Sequence, residues 1–172
     1  MGRNAEKLQA VAAECGPGSG CHPADLREDT AIEQLAEMIQ DTYQTLDILV
    51  HSAGTITLAP IRNANVADLD DQYRVNFRAP YLLTRALLPL LRRSRGQVVF
   101  VNSNAALRPG TDNGQYAATK AALRVLTDVL REEVNRDGIR VLTALVGRTA
   151  TPMQAGIHQY EGKPYHPELL VP

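Results

Sequence analysis

The 172-residue sequence has little of several features that mark particular classes of protein. It contains no tryptophan, and its apolar runs, such as residues 86–91, are far too short to span a bilayer. The net charge of −1 gives no reason to expect a nucleic acid or a membrane surface as a partner. No charged-then-apolar leader precedes the first predicted helix, so we expect no secretory signal and a cytoplasmic location.

Cysteine and histidine are also scarce. Cys15 and Cys21 flank a turn, "CGPGSGC", where a small loop disulfide and two reduced thiols are the alternatives. A cytoplasmic protein favours the thiols. The four histidines lack the spacing of metal ligands and have no cysteine pair beside them, so we predict no metal site.

What the sequence does have is a regular alternation of hydrophobic periods. Helical stripes cover residues 4–15, 29–43, 66–93 and 115–138, and short apolar runs typical of buried strands cover 46–54, 96–103 and 139–147. Strands that alternate with long helices predict an α/β fold with a mostly parallel sheet covered by helices on both faces. The last segment, 152–172, is polar and turn-rich, so we expect a flap or a loose terminus there.

The predicted strands end in small residues. Ser52–Gly54, Ser103 and Gly147 each follow one apolar run. Sites in sheets of this kind lie outside the carboxyl ends of the strands, so these residues are expected along one rim.

Tyr116 and Lys120 stand four residues apart in "GQYAATK" and therefore share one face of a helix. A free tyrosine, with a pKa near ~10, exchanges protons poorly at neutral pH. A neighbouring ammonium favours the phenolate and is expected to lower that pKa, while Ser103 would hydrogen-bond a substrate oxygen. The alternative is a helical Tyr–Lys pair with no chemical role.

A second clue lies in the middle helix. Pro80 has no N–H, so the carbonyl of Asn76 loses its α-helical donor and the helix is expected to kink. A free carbonyl at a kink can hold an ordered water. The alternative is that Pro80 only bends the helix around the core.

Five stretches of the sequence occur together, in order, in one known family. They are "DILVHSAG", "YRVNFRAPYLLTRALLPLL", "GQVVFVNSNAA", "QYAATKAAL" and "VGRTATPM". The chain resembles the short-chain dehydrogenase/reductases over residues 25–153, and "YAATK" fits the family's Tyr-x-Ala-Ser/Thr-Lys motif. The resemblance implies a Rossmann-like, doubly wound parallel sheet. It also implies an NAD(P)(H)-dependent oxidoreductase that interconverts a small ketone and a secondary alcohol.

The resemblance also assigns roles to residues. Tyr116 would be the general acid for carbonyl reduction, Lys120 would lower its pKa and hold the nicotinamide ribose, and Ser103 would orient the carbonyl. Asn76 would hold a water in a proton relay that leads to Lys120.

Further positions match the family's cofactor contacts. These are Asp25, Leu26, Ser52, Ala53, Gly54, Val146, Gly147 and Thr151, together with Tyr116 and Lys120. Arg3 follows Gly2, where relatives that prefer NAD carry an acid, and a cation there favours the 2′-phosphate of NADP(H). The alternative reading of Arg3 is an exposed residue near a chain start.

The sequence also departs from the family pattern. His51 and Val146 stand where the family has asparagine and proline. The family's first strand, glycine-rich turn and first helix have no counterpart in residues 1–172, nor do its last helix and strand beyond Val171 and Pro172. We therefore expect one Rossmann-fold domain that is incomplete at both ends.

Two functions from different classes follow from these expectations. The first is the NADP(H)-dependent oxidoreductase acting on a small carbonyl or alcohol. The second is an inactive remnant that acts as an interaction module, because the helices at 66–93 and 116–136 carry apolar residues on more than one face and pair between subunits in family dimers and tetramers. An isomerase, epimerase or dehydratase is disfavoured, since those relatives carry a longer substrate domain.

Overall fold

The computed structural model describes residues 1–169, and the end of the predicted tail, 170–172, lies outside the described residues. The helices are α1 (Ala5–Cys15), α2 (Asp29–Thr42), α3 (Val66–Tyr73), α4 (Ala79–Ser94), α5 (Gly114–Val134) and α6 (Pro152–Glu161). The strands are β1 (Ile48–His51), β2 (Gln97–Ser103) and β3 (Arg140–Val146). Every predicted strand and helical stripe is present.

The three strands form a parallel sheet in the order β1-β2-β3. Its register pairs Val50 with Val99 and Ser103 with Val146, which aligns the carboxyl ends of β2 and β3. The predicted Rossmann-like α/β architecture with a parallel sheet is therefore confirmed. In β1 the residues alternate between buried and exposed, which leaves Ile48 and Val50 exposed on one side of the sheet.

The core lies on the opposite side of the sheet. There α2 packs against α4, and α5 packs against β2 and β3. The buried cluster joins residues from all these elements, including Ile32, Leu87, Val98, Phe100 and Leu123. A single apolar cluster therefore fixes α5, and the side chains on it, against the sheet.

The middle helix departs from α geometry just before Pro80. Residues 74–78 form a π-helical turn between α3 and α4, in which the N–H of Ala79 donates to the carbonyl of Arg74. Insertions of this kind occur where the regular hydrogen-bond ladder is interrupted, and Pro80 interrupts it by lacking an N–H. The expected irregularity beside Asn76 is thus present as a change in helical winding.

The segment expected to be turn-rich contains a helix. Thr151 caps α6 by accepting a hydrogen bond from the N–H of Gln154, and Gly162 ends the helix in the left-handed conformation. Pro152 stands at the first helical position, where its missing N–H costs nothing. The residues at its two ends therefore stabilise α6, although the apolar periodicity of its sequence is weak.

Candidate active site

Tyr116 and Lys120 lie in the first two turns of α5. Lys120 is only 4% exposed, and its Nζ donates to the carbonyl of Val101 at 3.2 Å. The same Nζ lies 5.7 Å from the centroid of the Tyr116 ring. Asn102 adds a bond from its Nδ2 to the carbonyl of Lys120 at 3.1 Å. These contacts hold the start of α5 against the end of β2.

Burial controls the proton affinities of this pair. It lowers the pKa of Lys120 to about 8 and raises the pKa of Tyr116 above its ordinary value. The Ser103 hydroxyl acts in the opposite direction on the pKa of Tyr116, with a smaller effect. The expectation that the ammonium lowers the pKa of this phenol is therefore not met. The reason is that Tyr116 is largely buried and Lys120 donates to a carbonyl instead.

Ser103 ends β2 beside Val146, its partner in the register with β3. Its Oγ accepts a hydrogen bond from the N–H of Ala105 at 3.1 Å. Because Oγ is the acceptor in this bond, the hydroxyl proton remains available as a donor, and the hydroxyl also interacts with the phenol of Tyr116.

Asn76 is buried in the π-helical turn and fastens two elements to each other. Its Oδ1 accepts from the N–H of Thr55 at 2.8 Å, and its Nδ2 donates to the carbonyl of Thr55 at 2.9 Å. The Nδ2 also donates to Oγ1 of Thr119 at 3.1 Å, and Thr119 in turn donates to the carbonyl of Tyr116. The side chain of Asn76 thus connects the segment after β1 to the helix that carries Tyr116.

Two residues that the sequence analysis did not single out complete this network. Thr119 provides the bridge just described, and Gln72 is fully buried one helical turn before Asn76. The Oε1 of Gln72 accepts from the N–H of Thr57 at 3.2 Å, and its Nε2 donates to Gln115 at 3.2 Å. The burial of Gln72 depends on partners that lie 15 and 43 residues away along the chain, so no local pattern in the sequence indicated its role.

The residues expected at the adenosine end form a separate group. Gly2 pairs with Pro23 in a short parallel bridge, which brings Arg3 toward Asp25. The guanidinium of Arg27 binds the carboxylate of Asp25 through two nitrogens and lowers its pKa to about 2, and the charge of Arg3 adds to that effect. The carboxylate of Asp25 is therefore ionised and already engaged.

A cavity of about 250 Å³ lies next to that group, at the carboxyl end of β1. Leu26, Ser52 and Ala53 all line it. Gly54 follows, and a Cβ added there would lie 3.5 Å from Oδ1 of Asn76 and 3.7 Å from Nζ of Lys120. The expected cofactor residues from Leu26 to Gly54 therefore lead toward the buried lysine.

The residues expected near the nicotinamide lie past the end of β3. Val146 and Gly147 are exposed, and a Cβ on Gly147 would lie 3.5 Å from Nδ2 of Asn104. Thr151 is exposed at the start of α6. Together with Ser103 they form the other end of the same rim.

Within residues 1–169, no group of three or more His, Cys, Asp or Glu side chains is placed to hold a metal ion. No helix in that range is long and apolar enough to cross a membrane.

Comparison with known proteins gives consistent matches. A family model described as short chain dehydrogenase matches residues 1–162. An oxidoreductase of Staphylococcus epidermidis is 31% identical over 157 residues, which are 91% of this chain and 68% of the relative.

Solved structures match over nearly the whole chain. A short chain dehydrogenase from Shigella flexneri, complexed with NADP, has a TM-score of 0.86 and 32% identity, covering 98% of this chain and 72% of that one. A metagenomic short-chain oxidoreductase in complex with NADP has a TM-score of 0.78 and 29% identity, covering 95% of this chain and 77% of that one.

Proposed function

The chain belongs to the short-chain dehydrogenase family, and from that membership we propose that it interconverts a small ketone and a secondary alcohol with NADP(H). The observation that carries this proposal is the placement of Asn76, Ser103, Tyr116 and Lys120. All four lie at or beneath one rim of the sheet and are joined by the contacts of α5. We also propose a cytoplasmic location, in which Cys15 and Cys21 stay reduced.

Tyr116 acts as the general acid in carbonyl reduction. Its raised pKa keeps the phenol protonated at neutral pH, which is the form that donates a proton to the developing alkoxide. Ser103 donates a hydrogen bond to the same oxygen and orients the carbonyl. In the oxidation direction Tyr116 accepts the proton instead.

Lys120 and Asn76 support that proton transfer. Lys120 carries an ammonium with a pKa of about 8, so at neutral pH it is charged in the majority of molecules. The carbonyl of Asn76, which cannot receive an N–H from Pro80, holds a water that returns a proton toward Lys120.

A dinucleotide would lie along the rim of the sheet. Leu26, Ser52 and Ala53 would hold the adenosine, and Lys120 would hold the nicotinamide ribose beside Gly54. Gly147, Val146 and Thr151 would cover the nicotinamide. When bound, the cofactor supplies the hydride.

A preference for NADP(H) rests on Arg3 and on the related structures. The side chain of Arg3 is exposed and free to bind a 2′-phosphate, and its charge reaches Asp25. Both the Shigella and the metagenomic relatives contain NADP.

A second function, an interaction module, has its own support. Val125 and Val129 lie one turn apart on α5 and are 57% and 50% exposed. Tyr81 on α4 is exposed as well. Apolar side chains on these two helices favour a homodimer or homotetramer, with or without catalysis.

The oxidoreductase proposal is tested by NADPH binding and turnover. NADPH fluorescence titrations, repeated with NADH, and NADPH oxidation with a panel of small ketones are measured for the wild type and for Tyr116→Phe. We expect saturable binding that prefers NADPH, and a kcat that falls by about 10²–10⁴-fold in Tyr116→Phe with a much smaller change in NADPH affinity. Tyr43→Phe, which changes an exposed tyrosine, is the matched control and should behave as wild type.

Three results would count against parts of this proposal. Full activity in Tyr116→Phe would show that Tyr116 is not the general acid. A preference for NADH would remove the role of Arg3. A folded chain that binds neither nucleotide would favour the interaction module.

A further inference from the structure

A second cavity, of about 470 Å³, opens between the segment after β1 and helix α6. Its apolar walls come from Ile56 and Leu58 on one side and from Met153, Ile157 and Tyr160 on the other. Among residues 1–169, none of those that line the cavity carries a charged side chain. The volume and the apolar lining are those of a site for a small organic molecule.

One end of the cavity lies close to Lys120 and Asn76. Gly54 and Thr55 form that end, and Gly54 lies next to Nζ of Lys120 and Oδ1 of Asn76. Thr55 is held on both sides by the amide of Asn76. This end of the cavity therefore lies beside Lys120 and Asn76, two of the four candidate catalytic residues.

Polar contacts outside the cavity hold the α6 wall in place. The hydroxyl of Tyr160 donates to Asp112 at 3.3 Å. Arg148 binds Glu161 at 3.1 Å, and Lys163 binds the same carboxylate at 3.0 Å. These two cations are thus already paired with Glu161, outside the cavity, and neither lines its wall.

Gly156 sits in the α6 wall with open space in front of it. A Cβ added there would meet no atom within 4 Å beyond its own helix. Glycine in a helix interior costs about 1 kcal/mol relative to alanine. Gly156 therefore does not stabilise α6, but its lack of a side chain keeps the cavity larger. A larger side chain would enter this space without a clash.

Building on the oxidoreductase proposal, we propose that this cavity receives the substituent on the reacting carbonyl, that the substituent is uncharged and apolar, and that the absence of a side chain at Gly156 leaves room for it. A carboxylate or phosphate on the substituent would lose its hydration without gaining a cation. The substrate class is therefore neutral ketones or alcohols with an apolar group, and not keto acids or phosphorylated carbonyls.

The test compares ketones that differ in one property each. Acetophenone and 4-acetylbenzoate share a ring and a carbonyl but differ by a carboxylate, and acetone lacks the ring. The proteins are the wild type, Gly156→Leu, and Gln159→Leu, which puts the same side chain on an exposed position of α6. NADPH affinity is measured for all three proteins.

We expect kcat/KM of the wild type to be higher for acetophenone than for 4-acetylbenzoate by about tenfold or more, which corresponds to about 1.4 kcal/mol. Gly156→Leu should raise KM for acetophenone strongly, have little effect with acetone, and leave NADPH affinity unchanged. Gln159→Leu should match the wild type. Equal use of the charged ketone, or an unchanged KM in Gly156→Leu, would overturn the proposal.

Binding separates this inference from the oxidoreductase proposal. If no ketone is turned over, saturation-transfer NMR with acetophenone reports occupancy of the cavity directly. A signal in the wild type that disappears in Gly156→Leu and persists in Gln159→Leu supports the inference without catalysis, and its absence in the wild type overturns it. A loss of NADPH binding in Gly156→Leu would mean that the cavity holds cofactor, which also overturns it.

Discussion

His51 is a buried ionisable side chain that lines the same cavity as Ser52 and Ala53. It is 7% exposed and stacks on Phe100, with ring centroids 4.8 Å apart. Its Nε2 lies 2.7 Å from Oγ1 of Thr84. Burial lowers the pKa of His51 to about 4, because an imidazolium here would lose its hydration without meeting an anion.

This pKa predicts acid sensitivity over a defined window. Above pH ~6.5 the histidine is neutral in both the folded and the unfolded chain, so its ionisation does not affect the free energy of unfolding there. As the pH falls from ~6.5 to ~4 the unfolded chain binds the proton first, so the free energy of unfolding should fall by up to about 3 kcal/mol. Urea unfolding of the wild type and of His51→Asn, at neutral pH and near pH ~5, measures this loss.

The comparison depends on the pH slope and not on absolute stability. His51→Asn also loses the stack on Phe100, so its stability at neutral pH is expected to differ. Equal slopes for the two proteins would show that His51 does not carry the acid sensitivity.

The sequence predicted which residue types lie in the candidate site, but not the pKa of Tyr116 or the buried partners of the site residues. The residue types and spacing of Ser103, Tyr116 and Lys120 are visible in the sequence, and the structure places them together. The pKa of Tyr116 was not predictable, because it depends on burial by tertiary contacts. Gln72 and Thr119 were missed for the same reason, since their partners lie far away along the chain.

At the scale of elements, the start of β2 depends on the close approach of two backbone segments. A Cβ on Gly96 would lie 2.7 Å from the carbonyl oxygens of both Leu46 and Asp47. Asp47 also accepts from the N–H of Gln97 at 2.8 Å, so the two segments cannot separate without losing that bond. Glycine is needed here for space.

Gly96→Ala is therefore expected to destabilise the fold by about 1–3 kcal/mol, the usual cost of overpacking. Gly20→Ala is the control, because its added Cβ would meet only the flexible end of His22 at 3.4 Å. Urea unfolding at neutral pH measures both variants. A Gly96→Ala variant as stable as Gly20→Ala would mean that the two carbonyls move aside freely.

The sequence predicted the helices and strands correctly where the apolar periodicity was strong. β2 and β3 coincide with apolar runs bounded by glycine, and α5 follows a long helical stripe. Helix α6 was not predicted because its apolar stripe is interrupted by Gly156 and its stability comes from its ends. The sequence predicted a simple kink at Pro80 and not the π-helical turn, because the helical winding next to Pro80 depends on packing.

At the scale of the molecule, two exposed apolar surfaces lie on opposite sides of the sheet. One is the helical surface of α5, with Val125 and Val129. The other is the sheet side that carries Val50 and Leu142, both 49% exposed. Parallel sheets normally have both faces covered, and the sequence analysis expected helices on both faces, so the exposure of Val50 and Leu142 differs from that expectation.

The two surfaces make different predictions for assembly. If the chain pairs through its helices, as proposed, placing charges there should dissociate it, because two copies of the same charge would be buried against each other. We expect the double variant Val125→Glu/Val129→Glu to have the mass of a monomer by light scattering, while Leu142→Lys keeps the wild-type oligomer. If Leu142→Lys dissociates the oligomer and the double valine variant does not, the interface lies on the exposed side of the sheet and not on the helices. A monomeric wild type would rule out both.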